Sequence, residues 1–127
     1  MENNYITVVV LYGDEFDVTT RKLYIEYPSD NPTDVINEYL AHVYPSIGHT
    51  TSIHVDNIYV NNQDLRLFAV FGTNGDQNTI ATNIIKKSWN MTNNDSFQVH
   101  GPIIFFTVAM YRDVTIDFTA EMFHQIF

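Results

Sequence analysis

Apolar and β-branched residues cluster near the N-terminus in a way that predicts two strands. The stretch Tyr5–Tyr12 is rich in valine, isoleucine and tyrosine, which favour strands. After it, Lys22–Tyr27 alternates in polarity, with Leu23, Ile25 and Tyr27 on one side. We therefore expect the second stretch to return beside the first as a hairpin.

The pattern then changes to the period of a helix, starting after Asn31. Asn31 is a favoured N-cap residue, Pro32 suits the first helical position, and Asp34 lies where the helix dipole favours an acid. The apolar positions recur at the spacing of one buried stripe: Val35, Ile36, Tyr39, Leu40 and Val43. Pro45 ends this helix.

The middle of the chain predicts two more strands and a second helix. Ile53–Val60 and Leu65–Phe71 are strand candidates, and the residues between them, Asn61–Asp64, have the composition of a hairpin loop. The glycine-containing stretch Gly72–Asp76 is predicted to be a loop, and Gln77–Trp89 a helix.

The last third of the chain predicts a buried strand and a short helix. Pro102–Tyr111 carries no charge until Arg112, so we expect a central strand that is covered on both faces. Thr119 can cap a helix over Ala120–Phe127. Together these patterns predict a single α+β domain over residues 1–127, with a mostly antiparallel or mixed sheet of five to six strands and two to three helices.

Composition removes several classes of function. The 127 residues are 45% hydrophobic and include no cysteine, which excludes a disulfide scaffold, thiolate metal sites and a cysteine nucleophile. Fifteen acids against six bases give a formal charge of −9, so we expect no direct binding to nucleic acid.

Candidate catalytic and metal-binding patterns are weak, and we predict a protein that is not an enzyme and holds no metal or cofactor. The histidine pair of a zinc-protease helix is absent, and no serine sits in the strand-to-helix turn of a hydrolase nucleophile. The five histidines show no persuasive ligand spacing: His42, His49, His54, His100 and His124. Asp117 lies between two apolar residues, where alternation places it on the solvent face. The loop Gly72–Asp76 precedes a helix and offers an alternative, a small nucleotide-ligand binder, although it lacks the residues of a P-loop.

The acidic residues of the N-terminal half are the most informative candidates for a binding site. Asp30, Asp34 and Glu38 recur every four residues, so on the predicted helix they would form a column with steps of about 6 Å. That spacing is comparable to the phosphate spacing along one nucleic-acid strand, and an ordinary solvated helix face is the competing interpretation. The candidate partner-binding residues, with a second cluster included, are Asp14, Glu15, Asp17, Asp30, Asp34 and Glu38.

The aromatic C-terminus supports a different hypothesis, a structural protein that assembles into homo-oligomers. Its candidate interface residues are Phe118, Phe123, Ile126 and Phe127. Docking of the same side chains on the chain's own sheet is the competing interpretation.

No basic segment followed by an apolar stretch stands at the N-terminus, and no apolar run is long enough to span a bilayer. We therefore expect a cytoplasmic protein without a membrane partner, in the host cell if the chain is viral.

Several short segments resemble a family of small domains of unknown function that is frequent in bacteriophages, plasmids and large DNA viruses. The resembling segments are Ile36–Pro45, Ile58–Leu65, Asn78–Thr82, Val99–Phe106 and Asp117–Phe123. The Leu-Pro-x-Asn that usually precedes the second helix of members is replaced here by Phe71–Gly75. The resemblance implies a mobile-element setting and no catalytic activity. With the charge pattern, it leads to the hypothesis of an accessory protein that inhibits or modulates a host protein with a basic surface, such as a defence or nucleic-acid-binding factor.

Overall fold

A computed structural model describes residues 5–12, 18–24, 31–92 and 96–127. Within these ranges the fold is α+β, as predicted, with three α-helices and a six-stranded antiparallel sheet. The strands are β1 (Tyr5–Leu11), β2 (Val18–Tyr24), β3 (Thr50–Val60), β4 (Gln63–Gln77), β5 (His100–Ala109) and β6 (Thr115–Ile116). The helices are α1 (Pro32–Val43), α2 (Thr79–Ser88) and α3 (Ala120–Ile126), and a 3₁₀ turn spans Pro45–Ile47.

The sheet has the strand order β2-β1-β5-β4-β3, and β6 pairs with the end of β5. β1 and β2 form the predicted hairpin, although β2 begins at Val18, earlier than expected. The uncharged strand β5 lies in the middle, and both of its faces are buried, which confirms the prediction of a covered central strand.

The two faces of the sheet carry two separate hydrophobic cores. On one face, α1 buries Ile36 and Leu40 against even-numbered residues of β1 and β5, among them Val8 and Ile104. On the other face, α2 and α3 cover odd-numbered residues of the same strands, such as Phe105. The domain is therefore a sheet with helices on both sides.

The first helix begins and ends as the sequence predicts. The Asn31 side chain accepts a hydrogen bond from the Thr33 amide at 2.9 Å, Pro32 occupies the first turn, and the helix ends at Val43. The cap and the proline thus set where α1 begins.

The prediction of a loop over residues 72–76 is wrong, because these residues belong to β4. The register with β5 breaks there, since Gly72 and Gln77 both oppose His100 and the residues between them bulge out. Gly72 is needed where the 3₁₀ turn packs on the strand, because a Cβ at this position would lie 2.5 Å from the Cβ of Ile47. The glycine therefore permits the close approach of the 3₁₀ turn to β4.

The chain also contains a β-bulge in β3. His54 opposes Phe68 and Asp56 opposes Leu67, so Val55 is the extra residue between them. Among the described residues, no helix is long and apolar enough to cross a membrane.

Candidate functional site

The candidate partner-binding residues divide between the described and the undescribed parts of the chain. Asp34 and Glu38 are exposed on the outer face of α1, one turn apart. The predicted positions Asp14, Glu15, Asp17 and Asp30 lie outside the described residues. We call Asp34 and Glu38, with the cleft next to them, the α1 surface.

The position of these two carboxylates follows from the packing of the helix. Ile36 and Leu40 are completely buried under α1, and at 3.6 residues per turn this turns Asp34 and Glu38 toward solvent. Asp34 also lies in the first turn, where the partial positive charge of the helix N-terminus stabilises an acid. Neither carboxylate has an ion pair within the ranges that the structure describes.

A cleft of about 490 Å³ lies between α1 and the edge strand β2. Its lining is mixed: Leu23, Val35 and Tyr39 supply apolar surface, and Glu38 contributes a carboxylate. The remaining lining residues are Lys22 and His42. An apolar lining with charged groups around it resembles the composition of a protein interface.

A cluster of phenols on the α1 side was not predicted. The rings of Tyr12 and Tyr44 meet edge-on at 5.9 Å, and Tyr12 is hydrogen-bonded to both Tyr44 and Arg21. Burial, followed by this hydrogen bond, raises the pKa of Tyr44 above its ordinary value, and the hydrogen bond to Tyr12 raises the pKa of Arg21. The sequence gives little sign of the cluster, because its members come from three different elements.

The structure positions two of the histidines in local contacts. The imidazole Nε2 of His54 lies 3.0 Å from the Asn57 Oδ1, and the Nδ1 of His100 lies 3.2 Å from the Gly75 carbonyl oxygen. Within the part of the chain that the structure describes, no three histidine or acidic side chains converge to hold a metal ion. Asp117 is exposed, as its alternation predicts.

The side chain of Asn78 caps the start of α2. Asn78 is fully buried, its amide group donates to the Gly101 carbonyl at 2.9 Å, and its Oδ1 accepts from the Ala81 amide at 3.1 Å. The Ala81 amide at this helix end is thus bonded to a side chain of the protein itself.

The C-terminal aromatic residues pack mainly within the chain. Phe118 and Phe123 are buried, and the Phe123 ring lies 5.6 Å from the ring of Phe105 in β5. Ile126 packs against the same core, whereas Phe127 is 41% exposed. Of the four predicted interface residues, therefore, only Ile126 and Phe127 keep surface that a second copy could contact.

Comparison with protein-family models, with curated proteins and with solved structures gives no match for this chain. The resemblance to small domains of mobile elements stays a prediction.

Proposed function

We propose that this chain is a non-enzymatic accessory protein of a phage, virus or mobile element that binds a basic host protein through the α1 surface. The observation that carries the proposal is the pair Asp34 and Glu38, exposed one turn apart with no ion pair among the described residues. The expected site of action is the cytoplasm of the host cell, and the expected effect is inhibition or modulation of the bound protein.

Charge supports a basic partner. The formal charge of −9 attracts cationic surfaces over several ångströms. Asp34 and Glu38, which have no ion pair in the described part of the chain, accept lysine or arginine side chains without first breaking such a pair. Each exposed ion pair contributes only about 0.2–1 kcal/mol, so the carboxylates mainly increase the association rate and select the partner.

The cleft beside α1 provides the contacts that charge alone does not. Leu23, Val35 and Tyr39 are apolar surface next to Glu38, so a partner side chain inserted there would be desolvated. Buried central contacts usually dominate binding energy, while surrounding charges set specificity. We therefore place the centre of the interface in the cleft and the carboxylates at its rim.

The test compares two variants with the same change in charge. Asp34→Asn with Glu38→Gln neutralises the α1 surface, whereas Asp117→Asn with Glu121→Gln neutralises another exposed pair that is four residues apart and belongs to the opposite face of the sheet. Tagged wild type and both variants are used to capture host proteins from lysate at low and moderate salt. Each captured protein is then purified and titrated against all three forms.

The proposal expects one stoichiometric partner with a basic surface, weaker binding of the α1 variant and a smaller dependence of its affinity on salt. The control variant should bind as wild type does. If both variants lose the same affinity, only net charge matters and the α1 surface is not the site. Competition by double-stranded DNA for the purified partner distinguishes mimicry of nucleic acid from binding at another basic surface.

A further inference from the structure

Two turns lie side by side at one end of the sheet, far along the chain from α1. One is the turn Asn61–Asn62 between β3 and β4, and the other comprises residues 110–114 between β5 and β6. They are neighbours because Leu65 of β4 pairs with Ala109 of β5. We call residues 59–65 and 109–116 the hairpin end.

Hydrogen bonds hold the second turn in one conformation. The Arg66 guanidinium donates to the Ala109 carbonyl at 3.1 Å, to the Arg112 carbonyl at 3.1 Å and to the Asp113 carboxylate at 3.3 Å. The Ala109 amide also donates to the Val114 carbonyl at 2.9 Å. A turn fixed in this way loses little conformational entropy when it binds.

The hairpin end exposes three large aromatic or apolar side chains. Tyr111 is 93% exposed, Tyr59 66% and Val114 49%. Between the two turns is a cleft of about 280 Å³, whose apolar lining includes Leu65, Met110 and Ile116. Tyrosine is a frequent anchor in protein interfaces because a large ring is ordered at low entropic cost.

The hairpin end carries two acids and one base, Asp64, Asp113 and Arg112, and the neighbouring Arg66 brings the sum of these charges to zero. Asp64 and Arg112 both line the cleft, and neither side chain has an ion pair or hydrogen bond among the described residues. Asp113 is already paired with Arg66. Within the described ranges, the cleft thus presents a carboxylate and a cation without ionic partners, Asp64 and Arg112, which form a self-complementary pair.

We propose that the hairpin end binds a second copy of this chain in a two-fold symmetric dimer. Arg112 of each copy pairs with Asp64 of the other, and each Tyr111 ring packs against the apolar lining of the opposite cleft. Such an interface is isologous, since the same residues are used on both sides. Two copies with a formal charge of −9 each repel one another. This repulsion is smallest at a surface where each copy also presents a cation to the other.

Sedimentation equilibrium over a wide range of protein concentration tests this dimer. We expect wild type to dimerise and Tyr111→Ser to weaken dimerisation by roughly thirtyfold, the size expected for an interface anchor. Asp64→Arg and Arg112→Asp should each weaken the dimer through like charges, and the double variant should restore it because the pair is only reversed. Far-ultraviolet circular dichroism checks that each variant is folded.

Phe127→Ser is the matched control, since it removes an exposed aromatic ring from the residue that follows α3. We expect this variant to dimerise as wild type does. A wild type that stays monomeric at every concentration overturns the proposal, as does a dimer that survives Tyr111→Ser. A dimer that is lost with Phe127→Ser and kept with Tyr111→Ser assigns the interface to the C-terminal segment instead. None of these outcomes depends on the α1 surface, so the two proposals are tested separately.

Discussion

The indole N–H of Trp89 donates to the carbonyl oxygen of Val55 at 3.0 Å, and to that of His54 at 3.2 Å. Val55 is the extra residue of the β3 bulge, so the end of α2 is joined to the irregular point of an edge strand. A bulge interrupts the regular row of backbone groups that another strand would need for pairing. The Trp89 side chain thus bonds two carbonyl groups at this bulge.

We expect Trp89→Phe to lower the free energy of unfolding by about 1–2 kcal/mol, because it removes the N–H while keeping a ring near Phe97. Urea unfolding followed by circular dichroism measures the change. Trp89→Leu, which removes the ring as well, should cost more. A Trp89→Phe variant as stable as wild type would show that the indole hydrogen bonds contribute nothing measurable.

Asn78 joins α2, β5 and β1 in one buried network. Besides its bonds to Gly101 and Ala81, its backbone carbonyl accepts from the Thr82 hydroxyl at 2.7 Å. Asn78→Ala leaves a buried carbonyl and amide without partners, so we expect a loss of about 2–4 kcal/mol in the free energy of unfolding.

Thr119→Ala is the comparison for Asn78→Ala, because Thr119 also caps a helix, by accepting from the Met122 amide at 3.3 Å, but is only half-buried. We expect it to cost about 1 kcal/mol, the usual value of a helix cap. Equal losses in the two variants would mean that burial adds nothing to the Asn78 cap. Chemical unfolding of both proteins in one buffer gives the comparison.

The features that the sequence predicts well depend on residues that are close together along the chain. The cap at Asn31, the stripe that contains Ile36 and Leu40, and the uncharged strand β5 all come from short stretches of chain. The end of β4 and the role of Asn78 could not be predicted in this way. Both depend on β5, which lies more than twenty residues further along the chain.

The sequence of β3 contains a sign of its bulge. The apolar positions of β3 change from odd to even, from Ile53 and Val55 to Ile58 and Val60, and a regular strand cannot bury all four on one face. The bulge at Val55 resolves this by shifting the register. For the candidate site, only Asp34 and Glu38 can be compared with the structure, and the cleft beside them arises from the packing of α1 on β2, which no local pattern shows.

Substitutions in the turn between β3 and β4 should raise or lower the free energy of unfolding, depending on the residue introduced. Asn61 and Asn62 have φ angles of 51° and 62°, the left-handed conformation that suits a two-residue hairpin turn. We expect Asn62→Gly to raise the free energy of unfolding by about 0.5 kcal/mol, and Asn62→Ala to lower it by about 1 kcal/mol, because a Cβ disfavours this conformation. Gln63→Gly, one residue later in the strand, should instead destabilise. Thermal unfolding of the three variants measures these changes. If glycine had the same effect at positions 62 and 63, the left-handed conformation of Asn62 would not be the cause.

Stability should fall at alkaline pH because of Tyr44. Burial and the hydrogen bond to Tyr12 raise the pKa of Tyr44 above its ordinary value of 10.0, so the folded protein retains this proton at a pH where the unfolded chain releases it. The unfolded state then binds fewer protons, and the free energy of unfolding decreases as pH rises through 10.0, whereas the contribution is fully present below it. Tyr44→Phe should reduce this decrease in urea titrations at increasing pH, and Tyr12→Phe should reduce it less, because burial is the larger cause. An unchanged pH profile in Tyr44→Phe would mean that other groups produce the decrease.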